Sequence, residues 1–158
     1  MAAIVPAVFY QDPIAALRWL EKAFGFEIAA LIMDGDGNLA HSEMSFAGGS
    51  LHVGGEWEGA IVGEARMRSP ATVEGINTQF LRVMLESGID DHCERARAAG
   101  ARIVAEPADQ FYGDRVYRAL DPEGHVWNFS QAVAAFDPEG MHEKMGLKLV
   151  TALPEAAS

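Results

Sequence analysis

The sequence predicts an α+β fold made of two β-α-β-β-β units in tandem. Three observations carry that expectation. Apolar residues recur at helical spacing over residues 14–24 and 90–99, and each run is closed by a glycine, Gly25 or Gly100. Short runs rich in β-branched and aromatic residues, separated by glycine-rich turns, surround both helices. The two halves also match by position: Phe24-Gly25-Phe26 corresponds to Ala99-Gly100-Ala101, and the turn at 47–50 to that at 121–124.

The elements follow in order. Residues 4–9 form an apolar strand that ends at Gln11-Asp12-Pro13. Asp12 suits a helix N-cap and Pro13 the first helical position. Ile14, Leu17, Leu20, Ala23 and Phe24 give the helix its apolar stripe. Residues 27–33 and 38–46 are strands joined by the turn Asp34-Gly35-Asp36-Gly37, and a fourth strand begins at 51–53. Periodicity then fades into glycines and charges. It returns with a strand at 78–85, the second helix, a strand at 101–105, a polar loop at 106–114, and a hairpin around Asp121-Pro122-Glu123-Gly124. The resulting organisation is a first module over 1–55, a linker over 56–77, a second module over 78–131 and an extension over 132–158. A short helix is expected at 141–147, with fraying from Pro154.

Composition narrows the function classes. With 158 residues, 49% hydrophobic and 22% charged, the chain is long enough to bury a substantial core. No apolar run approaches a membrane span, and MAAIVPAVFY lacks the basic start of a signal peptide, so a cytoplasmic location without membrane partners is expected. A net charge of −11 argues against a nucleic-acid partner. Cys93 is the only cysteine, which excludes an internal disulfide or a thiolate cluster, and its helix position suits a buried thiol. No Walker loop, GxGxxG run, Ser-His-Asp order or Cys-His zinc spacing occurs.

Two sets of residues carry candidate chemistry. His41 and Glu43 alternate on one strand, and His52 lies on the next; imidazole and carboxylate donors of this kind suit Zn, Ni, Mn or Fe. The alternative is that all three are hydrogen-bonded surface residues. In the hairpin, a two-residue loop at Pro122 and Glu123 would pair Tyr117 with Asn128 and Arg115 with Ser130 on one face, beside Phe9. Arg115, Tyr117, Asn128 and Phe9 would then form a polar clamp for a small molecule. Against this stand an Arg115 paired with an acid and a Tyr117 packed in the core. A one-residue slip would exchange the two faces. Trp127 is expected to face a helix. His92 is expected on a solvated helix face, His125 to order the hairpin, and His142 to lie in the extension.

The opening strand with ALRWLEKAFGFE, followed in the second half by DDHCERARAAGAR, YGDR and DPEGHVW, resembles the vicinal oxygen chelate superfamily of glyoxalases, bleomycin-resistance proteins and extradiol dioxygenases. The resemblance spans about residues 4–131. It implies a cup-shaped, mostly antiparallel sheet built by both modules, often within a homodimer, holding a metal or a small molecule. Carrying the metal-ligand positions over by spacing gives Val5, Gly54, Leu81 and Asn128. Only Asn128 is even a weak donor, whereas a catalytic divalent cation needs three or four anionic or imidazole ligands. The expectation is therefore a metal-free protein, without cofactor, that binds a small polar molecule in the cup. The alternative is a metal-dependent lyase, isomerase or transferase with atypical ligands. A homodimer is expected, with Met141, Met145, Leu147, Leu149 and Val150 available to pack on a partner.

Overall fold

The computed structural model describes residues 4–58 and 63–153, the side chain of Glu58 excepted. The first module comprises β1 (Ala7–Tyr10), α1 (Pro13–Phe24), β2 (Glu27–Met33), β3 (Leu39–Phe46) and β4 (Gly49–Gly55). A two-stranded ribbon, β5 (Trp57–Glu58) with β6 (Arg66–Met67), and a single 3-10 turn at Pro70–Thr72 follow. The second module comprises β7 (Leu81–Leu85), α2 (Ile89–Ala98), β8 (Arg102–Asp109), β9 (Asp114–Leu120) and β10 (Val126–Ala132), with α3 (Pro138–Met145) beyond it. The sheet orders are β1-β4-β3-β2 and β7-β10-β9-β8, so the modules share one topology. In each, the first and last strands pair in parallel and the remaining pairs are antiparallel. The expected α+β arrangement of paired β-α-β-β-β units is the one observed. Among the described residues, no helix is long and apolar enough to cross a membrane.

Local chemistry explains the helix ends. Asp12 Oδ1 accepts the Ala15 N–H, Pro13 opens α1, and Gly25 closes it in the left-handed region at φ 76°. The stripe of α1 buries Leu17, Leu20, Ala23 and Phe24, while α2 buries Ile89, Cys93 and Ala96. Both pack on the inner sheet faces, represented by Val8, Tyr10, Met44 and Val53 in one module and Tyr117, Ala119, Trp127 and Phe129 in the other, and all belong to one cluster. Each large apolar side chain so buried contributes about 1.5–3 kcal/mol. Burial also raises the Cys93 thiol to about 11, so it stays protonated. The helices meet through polar contacts as well. Trp19 Nε1 donates to the Ala99 carbonyl at 2.8 Å, and Arg95 Nη2 and Nε donate to the Glu21 and Lys22 carbonyls, also at 2.8 Å.

Four expectations need correction. The strand expected from Thr78 starts only at Leu81, where its ladder with β10 begins opposite Trp127, the first pair of that register. Two register shifts carry β8 on to Asp109, which shortens the expected loop at 106–114 to residues 110–113. The extension helix begins at Pro138, capped by Asp137, rather than at Met141. The hairpin loop is one residue longer than expected. Asp121 and His125 face each other across it through Asp121 N to His125 O at 3.2 Å, and Gly124 supplies a left-handed residue at φ 92°. That extra residue pairs Tyr117 with Phe129 and Asn128 with Arg118, which moves Tyr117 and Asn128 to opposite faces. The expected fraying from Pro154 lies outside the described residues.

Candidate ligand-binding faces of the two sheets

Strand alternation decides what each sheet presents away from the helices. In the first sheet Val8, Tyr10, Met44, Leu51 and Val53 point into the core, so Phe9, His41, Glu43, His52 and Gly54 point outwards. His52 Nδ1 lies 2.8 Å from the Ser42 carbonyl, which can only accept. Neutral His52 therefore carries its proton on Nδ1 and its lone pair on Nε2. The His41 ring stacks on it, centroids 4.8 Å apart and planes 18° from parallel. His41 Nε2 reaches Glu43 Oε1 at 3.3 Å. Phe9 meets His52 edge-on at 6.2 Å and Trp57 at 6.4 Å. Phe9 and His52 close over Gly54: a Cβ there would stand 3.2 Å from the Phe9 ring and 3.3 Å from His52 Nε2, so glycine is what lets the two rings approach the strand. Next to Phe9 is a cavity of about 330 Å³, bordered by Arg66, Arg68, Asn77, Thr78, Gln79 and His125.

In the second sheet the longer hairpin loop separates the expected clamp. Tyr117 is fully buried on the helix side, where it stacks on Phe129 at 5.0 Å and donates to His92 Nδ1 at 2.6 Å. His92 Nε2 in turn donates to the Phe24 carbonyl at 2.9 Å. The ring expected on a solvated helix face thus bridges α1, α2 and β9. Burial raises the Tyr117 phenol and lowers the His92 imidazole, so both are neutral at pH 7. Arg115 also lies on the helix side, at the margin of the sheet, where it donates to Asp90 Oδ1 and Asp109 Oδ1 at 2.8 Å and to Asp90 Oδ2 at 3.0 Å. Those acids hold its guanidinium pKa above the ordinary value. Asn128 faces the other way. Of the four residues expected to touch a ligand, Phe9 and Asn128 stand on outward faces of different sheets, while Arg115 and Tyr117 do not.

Sequence reasoning missed the residue that ties these parts together. Asp121, 5% exposed, accepts the Tyr10 hydroxyl at 2.7 Å, Trp127 Nε1 at 3.0 Å, and the Glu123 and His125 amides at 3.0 Å. His125 completes the tie by donating Nε2–H to the Phe9 carbonyl at 2.8 Å, an ordering role beyond its own hairpin. An apolar seam of about 440 Å³, bordered by Phe26, Phe46, Leu51, Phe80, Leu81 and Trp127, runs between the modules.

A family model described as the Glyoxalase/Bleomycin resistance protein/Dioxygenase superfamily matches residues 4–129. The chain belongs to that superfamily. It is 27% identical over 131 residues to uncharacterized proteins of Mycobacterium bovis and Mycobacterium tuberculosis, covering 83% of its own length and 84% or 75% of theirs. Among solved structures it is similar to TioX from Micromonospora sp. ML1, at 28% identity and TM-score 0.64, covering 84% of this chain and 100% of that one. A family enzyme from Burkholderia phytofirmans PsJN shares the fold at 15% identity and TM-score 0.58, covering 82% of this chain and 97% of its own.

The superfamily's metal chemistry can be tested against the side chains. Val5, Gly54, Leu81 and Asn128 offer no imidazole or carboxylate. His41, Glu43 and His52 do share a face, but near-parallel stacked imidazoles aim their lone pairs alongside one another rather than at a common point. Among the described residues no three His, Cys, Asp or Glu side chains are arranged to hold a metal ion. The residues present do not fit the superfamily's cation.

Proposed function

We propose that this superfamily member binds a small, flat, polar organic molecule, without a metal, on the outward face of its first sheet. The observation that supports this reading is the His41–His52 stack set beside Phe9, with both Phe9 and His52 drawn close to the strand over Gly54. Stacked aromatic contacts contribute about 0.5–1.5 kcal/mol each beyond buried area. The outward lone pair of His52 Nε2 accepts an N–H or O–H from the ligand edge, and the neighbouring cavity takes the remainder of the molecule. The test is a titration of uniformly labelled protein with a panel of flat heteroaromatic amides, reading the His41 and His52 ring resonances. Binders should shift both, and Gly54→Val should weaken them by about tenfold or more by pushing the Phe9 and His52 rings out of place. Ring resonances untouched by the whole panel would count against the site. Metal analysis of untagged protein bears on the alternative: stoichiometric Zn, Ni, Mn or Fe would favour a metal-dependent lyase, isomerase or transferase.

The same proposal takes the protein as a homodimer. The edge strand β2 leaves Ile28, Leu31, Ile32 and Met33 between 36% and 57% exposed, and Leu147, Leu149 and Val150 lie open in the extension. Sedimentation should give a species of twice 17.0 kDa; a 17.0 kDa species at micromolar concentration would refute the dimer.

A further inference from the structure

The linker between the modules is fastened to both of them and brings two arginines to one cavity. Ser69 is fully buried; its hydroxyl donates to Glu123 Oε2 at 2.5 Å and its N–H to Glu56 Oε1 at 2.8 Å. Glu123 in turn accepts the Gln11 and Asp12 amides at the entry to α1, at 2.8 and 3.1 Å. Further along the linker, Asn77 donates to the Gly124 carbonyl at 2.9 Å and accepts the Val126 amide at 3.2 Å. Arg66 and Arg68 flank Met67, which pairs with Trp57 across the ribbon, and both border the cavity of about 330 Å³ next to Phe9. The chain holds 23 acidic residues against 12 lysines and arginines, yet among the described residues no acidic side chain borders this cavity.

We infer that this cavity takes a carboxylate, recognised by Arg66 and Arg68, so that the ligand is a heteroaromatic acid. The inference rests on the proposal that a flat ring docks beside Phe9 and His52, since Phe9 borders both places. A guanidinium fork matches the two oxygens of a carboxylate. The backbone that carries both arginines is already held at Ser69 and Asn77, so little of it has to be ordered when the ligand arrives. Charge selects among the alternatives. An ammonium would face two guanidinium groups. A phosphate dianion would call on two full positive charges, but Glu56 stands 4.0 Å from Arg68 and offsets part of one. A single negative charge is the better match. The residues that choose the ligand's charge then lie in the linker, outside the duplicated units.

The test titrates labelled protein at fixed ionic strength with indole-3-carboxylate, indole-3-acetate and indole-3-propionate, each against its primary amide. Acid and amide share an outline and a ring N–H for His52 Nε2, and differ in charge. The Nε–H resonances of Arg66 and Arg68 report the cavity; the His41 and His52 ring resonances report the stack. At least one acid should move both sets and bind about tenfold more tightly than its amide, the ratio expected for one charged hydrogen bond. Arg66→Gln and Arg68→Gln, both exposed changes, should each bring acid and amide to nearly the same affinity while the backbone spectrum stays dispersed. Equal affinities in all three pairs would overturn the inference, as would an advantage of the acid that survives in both variants. So would inorganic phosphate moving the arginines as strongly as the best acid, which would reduce the cavity to an unselective positive patch. Rings that respond while both arginines stay still would keep the ring site and sink this one. Arginines that respond to the acids while the rings stay still would do the reverse.

Discussion

The two modules share a strand order and differ in what their outward faces carry. Inside, each sheet uses bulky apolar residues against its helix: Val8, Tyr10 and Val53 in one, Trp127 and Phe129 in the other. Outside, the first sheet presents imidazoles and an aromatic ring around Gly54, and the second presents arginines around a buried amide. Packing constrains the inner face, since every volume change there is felt by the helix. The outer face answers only to water or a ligand. A repeated architecture can therefore carry two unlike outward surfaces without altering its core.

The sharpest test of the comparison is the joint between the modules. Asp121→Ala removes the acceptor of the buried Tyr10 hydroxyl and Trp127 Nε1–H, and should cost about 3–5 kcal/mol in chemical denaturation. A loss below 1 kcal/mol would mean that Asp121 is not what holds the modules together. Next in size is the His92 bridge on the inner side. Its folded pKa is depressed by burial, so the unfolded chain takes up a proton first, near its ordinary value of about 6.5. Stability is complete above that pH and should fall as pH drops below it towards the folded value, by at most about 1.4 kcal/mol per unit for one proton. His92→Gln should flatten the slope between pH 6.5 and 5.5; an unchanged slope would exclude this residue as its source. The smallest effect is expected at Arg115, whose partners are surface acids. Arg115→Ala should leave ligand binding unchanged and should not measurably shift the denaturation midpoint. Loss of binding in that variant would restore the hairpin clamp.

How far the sequence reveals this structure depends on the range of the determining interaction. The helix at Asp12-Pro13 and its stop at Gly25 were legible because caps are local chemistry. The shared face of His41 and Glu43 followed from strand alternation alone, whereas the stacking of His52 on His41 depends on how β3 and β4 pair. The hairpin register was not legible. Whether Gly124 joins the loop depends on Asp121 holding both the Glu123 and His125 amides, and that choice places Tyr117 inside and Asn128 outside. His92 misled for a similar reason. Its helical neighbours are acidic, but its partners are Phe24 and Tyr117, 68 and 25 residues away in the chain.

The contact between the helices has a consequence for synthesis. The last carbonyls of α1, at Lys22 and Phe24, are satisfied by Arg95 and His92 of α2, and Arg95 adds a second bond to the Glu21 carbonyl, which already accepts the Gly25 N–H. During translation the first helix therefore emerges with its Lys22 and Phe24 carbonyls bonded only to water, and they stay so until some seventy further residues have been made. Chains are extended at roughly 5–20 residues per second, so that wait lasts several seconds, far longer than helix formation itself. The first module is thus a nascent structure awaiting its second half. A stalled or truncated chain would present its unfinished apolar stripe to chaperones and proteases.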